Sequence, residues 1–373
     1  MKIVRIATLA SVGVVLALPS QASARSWTVV SAPRDDATLV AAAAVPGSAM
    51  VWAVGYSPSP FFERERNGAW SRIDAAPGTA PDAYLGGLAA ASGNDVWAVG
   101  RTPAPPPDSP FATLAEHWDG SRWSIAPTPS PAPGAFLKAA TTSPSGVWAV
   151  GGAGSQPLVE HLAGGRWRVV PSPAVAGYAE LDAVTAVPGT RGLWAVGFRA
   201  ATDGEQFAFA EHYDGRRWTT VPIPSYANPG NAISGLEAVI AISPDDVWAV
   251  GAGLTTTADR ALVEHWTGRR WTIVPDQPVN AAPAAATLVP GTHTVWVAGT
   301  IAVGAEENET FTERIANGRW RVVPAANPDQ DCEHSDEFLG VAATASAVWA
   351  VGFHFELLNG CGDAVSGSLI ERY

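Results

Sequence analysis

Residues 243–251 read SPDDVWAVG, and the pentapeptide Val247–Gly251 returns, with small changes, six more times along the chain. Trp52, Trp97, Trp148, Trp194, Trp248, Trp296 and Trp349 each sit in such a string, spaced 45 to 54 residues apart. Five copies are VWAVG, one is LWAVG (193–197) and one VWVAG (295–299). Alternation along an extended chain puts Trp248 and Val250 on one face and Val247, Ala249 and Gly251 on the other. A bulky face backed by a small one suits a sheet buried on both sides between like neighbours. Seven copies at this period mark an internal repeat.

A second tryptophan set, Trp27, Trp70, Trp123, Trp167, Trp218, Trp271 and Trp320, falls in strings such as GRRWTIVP (268–275) and GGRWRVVP (164–171). The two sets hold 14 of the 16 tryptophans, so Trp usage follows the repeat and not a single aromatic site. Each unit reads as four short strands; in one copy these are LEAVIAI (236–242), DVWAVG (246–251), ALVEHW (261–266) and RWTIVP (270–275). Turns between first and second and between third and fourth strands are short, with Asn67-Gly68, Asp119-Gly120, Asp214-Gly215 and Asn317-Gly318 matching tight hairpins. The other two connections are longer and Pro-rich, as in RTPAPPPDSP (101–110), and in an up-and-down meander both open on the same end. Four-stranded units of about 50 residues predict an all-β, seven-bladed β-propeller spanning 25–373 as one domain. The chain begins, after its leader, with RSWTVVSAP (25–33), which matches a fourth strand, and ends with SLIERY (368–373), which matches a third. The N-terminal strand is therefore expected to complete the last blade and close the ring.

The strings DVWAVG, LAEHWDGSRW (114–123) and LVEHWTGRRW (262–271) resemble a group of secreted bacterial repeat proteins built on a DVWAVG…EHWxGxxW unit, similar in architecture to kelch, Asp-box and WD-repeat propellers. The resemblance covers 25–373 and implies the propeller fold. It implies no particular activity, because propellers host binding proteins, scaffolds and enzymes alike.

The first residues, MKIVRIATLASVGVVLALPSQASA, place Lys2 and Arg5 before an apolar run from Ile6 to Leu18 and a small-residue triplet ending at Ala24. That order predicts a signal peptide over 1–24 and a secreted, extracellular protein without membrane insertion. With 35 acidic against 23 basic residues and a net charge of −12, no nucleic-acid partner is expected. Lys138 is the one lysine beyond the leader. The chain is expected to work as a monomer.

One carboxylate recurs in each third strand: Glu63, Glu116, Glu160, Glu211, Glu264, Glu313 and Glu371. They read either as hydrogen-bond acceptors inside their own blades, from a Trp indole or a neighbouring Arg or His, or as seven carboxylates around a cation. The next position is His117, His161, His212 or His265 in four units and Arg64, Arg314 or Arg372 in the others, which argues against a metal role there because Arg does not ligate metals. The repeat breaks near its end, at ANPDQDCEHSDEF (326–338) and FHFELLNGCGDAVSG (353–367). Cys332 and Cys361, the only cysteines, are expected to form a disulfide between these loops. Asp329, Asp331, Glu333, Asp336, Glu337 and Asp363, with Glu306, Glu307 and Glu309, make an acidic corner. It reads as a solvated rim, as a Ca²⁺ site held by Asp329, Asp331, Glu333, Asp336 and Asp363, or as a place for a cationic ligand or catalytic pair. The spacing is not an EF-hand, and no G-x-S-x-G, H-E-x-x-H or phosphate-cradling loop occurs. No residue is assigned as catalytic and no cofactor beyond Ca²⁺ is expected. The function expected is a non-enzymatic binding or scaffold module that engages a glycan or extracellular protein through the loop-bearing face. The rival is a polysaccharide hydrolase or lyase using Asp331, Glu333, His334 and Asp363.

Overall fold

The computed structural model describes residues 26–30, 36–104, 111–226, 233–254, 259–275, 277–304, 307–316, 318–327, 334–358 and 363–373. These residues form 28 β-strands and no helix. Residues 1–24, expected to be a signal peptide, lie outside them.

Each repeat folds as the four strands expected. In the first, Thr38–Ala44, Val51–Tyr56, Pro60–Arg66 and Ala69–Asp74 pair antiparallel in sequence order. Five sheets have this four-stranded form. The last two repeats depart from it, being joined into one mixed eight-stranded sheet. The strand Asn308–Ala316 begins beside the strand His334–Ala343, where Asn308 pairs parallel with Ser335 and its Nδ2 donates to Ser335 Oγ at 3.2 Å. The same sheet takes in the strand Thr28–Val29, which runs antiparallel to Asp363–Arg372 with Thr28 opposite Arg372 and Val29 opposite Glu371. First strands of successive repeats lie side by side, and Thr38–Ala44 of the first packs against His334–Ala343 of the last.

The two tryptophan sets meet between sheets. Each second-strand Trp packs on the fourth-strand Trp of the following repeat: Trp52 on Trp123, Trp97 on Trp167, Trp148 on Trp218, Trp194 on Trp271 and Trp248 on Trp320, with ring centroids 5.1 to 6.0 Å apart. The pattern continues across the ends of the chain, with Trp296 on Trp27 and Trp349 on Trp70. All seven second-strand tryptophans are buried. Their mostly edge-to-face geometry adds about 0.5–1.5 kcal/mol per pair beyond area burial. The alanine-rich first strands supply part of the room, Ala90 packing in the cluster that holds Trp52, but the principal partner of each indole is another indole.

The residue after each third-strand Glu lies opposite the second-strand Trp of its own sheet, and in five repeats it covers the indole face. His117, His161 and His265 stack on Trp97, Trp148 and Trp248 at 4.0 to 4.3 Å, while Arg64 and Arg372 lie over Trp52 and Trp349. A flat or cationic group over the indole satisfies this position, so His and Arg interchange.

The third-strand glutamates are all buried, and their partners correct the expectation of bonds within the blade. Where a partner is seen, it comes from the segment leaving the preceding repeat. Ala76 N–H donates to Glu116 Oε2 at 2.9 Å and Thr79 Oγ1 donates to its Oε1. Ser172 Oγ lies 2.8 Å from both Glu211 oxygens, and Ala326 N–H donates to Glu371 at 2.8 Å. These carboxyls fasten one repeat's exit to the next repeat's third strand.

Candidate functional site

Every first strand carries a β-bulge at the same place. The register against the second strand skips one residue between Leu39 and Ala41, Leu85 and Gly87, Leu137 and Ala139, Leu181 and Ala183, Leu236 and Ala238, Pro283 and Ala285, and Phe338 and Gly340. The skipped residues are Val40, Gly86, Lys138, Asp182, Glu237, Ala284 and Leu339. A bulge leaves its extra residue unpaired and re-aims it. All seven line one cavity of about 540 Å³ between the first strands. It adjoins a smaller space of about 270 Å³ whose lining includes Ala41, Gly87, Ala139, Ala183 and Ala285.

The final glycine of VWAVG faces this bulge. A Cβ on Gly251 would overlap the carbonyl oxygen of Gly235, and the corresponding glycine in each other repeat meets a first-strand carbonyl in the same way. The first strands also approach one another closely: a Cβ on Gly340 would lie 2.8 Å from Ala42 N.

Four of the bulge positions are apolar or glycine, and the three charged ones are adjacent. Lys138 Nζ lies 2.6 Å from Asp182 Oδ1, 3.5 Å from Glu237 Oε2 and 3.9 Å from Glu180 Oε1. The Asp182 side chain is 0% exposed and that of Glu237 42% exposed. Asp182 Oδ2 has no hydrogen-bond partner among the described residues. Tyr178 donates its hydroxyl to Glu180 Oε2. Burial alone would push the Lys138 ammonium down, but Asp182, Glu237 and Glu180 together hold it above the usual lysine range. Burial pushes the Asp182 carboxyl well up, with Lys138 opposing and Glu237 and Glu180 adding to the rise. Burial, and then the hydrogen bond to Glu180, raise the Tyr178 phenol.

Tyr84, Phe136 and Tyr178 open their strands Tyr84–Ser92, Phe136–Ser143 and Tyr178–Ala186, and all three line the cavity with Arg101. First strands start at the end that carries the longer connections, so the cavity opens at the loop-bearing end. Arg101 lies over the rings of Tyr84 and Phe111, with its guanidinium carbon 5.7 and 4.3 Å from their centroids.

Of the residues assigned to the acidic corner, Asp329, Asp331, Cys332, Glu333 and Cys361 lie outside the described residues, as does Glu306. Asp363 begins the strand Asp363–Arg372, opposite Leu358. Asp336 is fully buried and its Oδ1 lies 2.5 Å from His354 Nδ1, the residue across from it in the sheet. His334 is buried in the same strand as Asp336. Among the described residues no cluster of three or more His, Cys, Asp or Glu is placed to hold a metal ion. The site at the cavity mouth, by contrast, was not anticipated from sequence. The bulge residue stands 13 to 15 residues before the glycine that ends each VWAVG string, so the column V, G, K, D, E, A, L emerges only when the copies are aligned on the first-strand residue that precedes it, which is Leu in five of the seven.

No family model matches the chain, and no curated protein matches it. Solved structures do. YCF48 from Cyanidioschyzon merolae is 13% identical, with 93% of this chain and 98% of that one covered and a TM-score of 0.56. YCF48 bound to D1 peptide gives 13% identity, coverage of 94% and 96% and a TM-score of 0.57. A polysaccharide lyase of family PL25, an ulvan lyase, gives 10% identity, coverage of 91% and 95% and a TM-score of 0.57. At these identities the likeness is one of fold, and the fold is a β-propeller.

Proposed function

We propose that the chain is a secreted, seven-bladed propeller closed by its N-terminal strand over 25–373, and that it acts as a non-enzymatic binding module for a glycan or an extracellular protein. The observation that carries this reading is the cavity at the loop-bearing end, where one bulge residue from every repeat and three first-strand aromatics face a common space. Its volume falls within the roughly 300–1,000 Å³ of small-ligand sites. The pairing of Thr28–Val29 with the last strand and the unbroken series of Trp pairs support seven blades and closure. The fold neighbours include one structure with a bound peptide and one polysaccharide lyase, so both partner classes have precedent on this architecture. A Cys332–Cys361 disulfide and export after Ala24 belong to the same proposal.

The second reading, an extracellular polysaccharide hydrolase or lyase, is favoured by one observation. Asp336 holds His354 by Nδ1, and an imidazole oriented by a buried carboxylate is a competent general base. One assay separates the two: the chain is immobilised, exposed to a panel of polysaccharides and secreted proteins, and both retention and release of shortened or unsaturated products are followed. The module reading expects retention without product. Product that disappears in Asp331→Asn, Glu333→Gln, His334→Ala or Asp363→Asn would establish the enzyme instead.

A further inference from the structure

We infer that the cavity mouth takes a neutral, hydroxyl-rich saccharide, held between the charged bulge residues on one side and the apolar ones on the other; this rests on the binding-module reading. The charge pattern selects the class. Lys138 is already engaged by three carboxyl groups, so the cluster leaves no free cation for an anionic ligand. Those carboxyl groups, in turn, repel a uronate or sulfate. Arg101 and Lys138 stand against Glu180, Asp182 and Glu237, so the lining is within one charge of balance. A cavity whose charges are largely paired among themselves but which offers acceptors and donors suits hydroxyl groups.

The acceptors are in place. Asp182 Oδ2 is closed off from solvent and unpartnered among the described residues, and Glu237, the most exposed member of the cluster, is reached from the mouth. Tyr84 and Phe136 supply the aromatic surface against which the apolar face of a sugar ring packs, and Val40, Ala284 and Leu339 complete the apolar side.

The test is calorimetric titration of the full chain with neutral gluco-, manno- and galacto-oligosaccharides, with oligogalacturonate as the acidic probe and chitosan oligomers as the cationic one. At least one neutral series is expected to bind, with acidic and cationic chains at least tenfold weaker. Glu237→Gln and Tyr84→Ala, both at partly exposed positions, are expected to weaken binding at least tenfold with no change in unfolding midpoint. Preference for the acidic or cationic probe overturns the inference, as does neutral binding that both variants leave unchanged. If no saccharide binds but a secreted protein is retained in the panel assay, the inference falls and the module reading stands. If nothing is retained at all, both fall.

Discussion

Glu160 is a carboxyl group shut away from water without a hydrogen-bond partner among the described residues, while its counterparts Glu116 and Glu371 are supplied by backbone N–H groups. The difference traces to a single residue type. The donor to Glu116 is Ala76, six residues after Trp70, and the donor to Glu371 is Ala326, six after Trp320. Six residues after Trp123 comes Pro129, which has no N–H to give. Pro173 stands in the same place before Glu211, where the Ser172 hydroxyl takes over the task. Burial pushes Glu160 and Glu264 up to about 8, and Glu63, Glu211, Glu313 and Glu371 to about 7. Since these lie above the ordinary value of 4.5, the folded chain binds more protons than the unfolded chain. The resulting stability is complete below about pH 4.5 and is lost as pH rises toward 8, at about 1.4 kcal/mol per pH unit for each proton. Urea unfolding at pH 5, 6.5 and 8 is expected to give stability that falls with pH. Glu160→Gln should flatten that slope by about one proton, stabilising the chain at pH 8 and leaving it nearly unchanged at pH 5. An unaltered slope would mean that Glu160 is ionised and hydrated.

At the scale of the strand, the bulge decides where function can sit. Strand number, strand order and the pairing of hairpins follow from alternation and turn residues, and those were legible in the sequence. The bulge was not, because the column it displaces varies from Val40 to Lys138 to Leu339 and carries no pattern of its own. Its only trace is the glycine that ends every VWAVG string, since an isolated glycine inside a strand marks a bulge or a close backbone approach. Gly251→Ala should therefore destabilise the chain by at least about 2 kcal/mol in denaturant unfolding, because the methyl group meets a backbone carbonyl that cannot move without losing the bulge. A cost below about 0.5 kcal/mol would show that the glycine is incidental. The charged corner was legible as composition only: acidic residues can be counted from sequence, but the pairing of Asp336 with His354 depends on sheet register.

For the whole molecule, the closed ring proposed above gives the equal numbers of the two tryptophan motifs a cause. A ring of like units needs one interface per unit, and each interface consumes one Trp from the second strand of one repeat and one from the fourth strand of the next. An open array would leave Trp27 or Trp349 without a partner, whereas Trp27 packs on Trp296, Phe338 and Tyr373 and Trp349 on Trp70. The closed ring proposed here predicts that Trp27→Ala costs about 3–5 kcal/mol, as much as removing an indole from the middle of the chain. A loss under about 1 kcal/mol in chemical unfolding would mean that the N-terminal strand is not part of the closure. The junction of repeats six and seven, which joins two blades through Asn308 and Ser335, was invisible to repeat counting because it depends on where two strands begin and not on what they contain.

The central claim, that bulges from separate repeats bring Lys138 to Asp182 and Glu237, can be observed at one atom. Lys138 is the one lysine beyond residues 1–24, whose removal on export is proposed, so selective ¹⁵N-lysine labelling of the mature chain gives one side-chain ammonium signal, which a pH titration by nuclear magnetic resonance follows. The account predicts that the Lys138 ammonium stays protonated well past the usual lysine value of about 10.4, at which an exposed lysine titrates. Titration of Lys138 at or below that value would contradict the convergence of these strands, and with it the site.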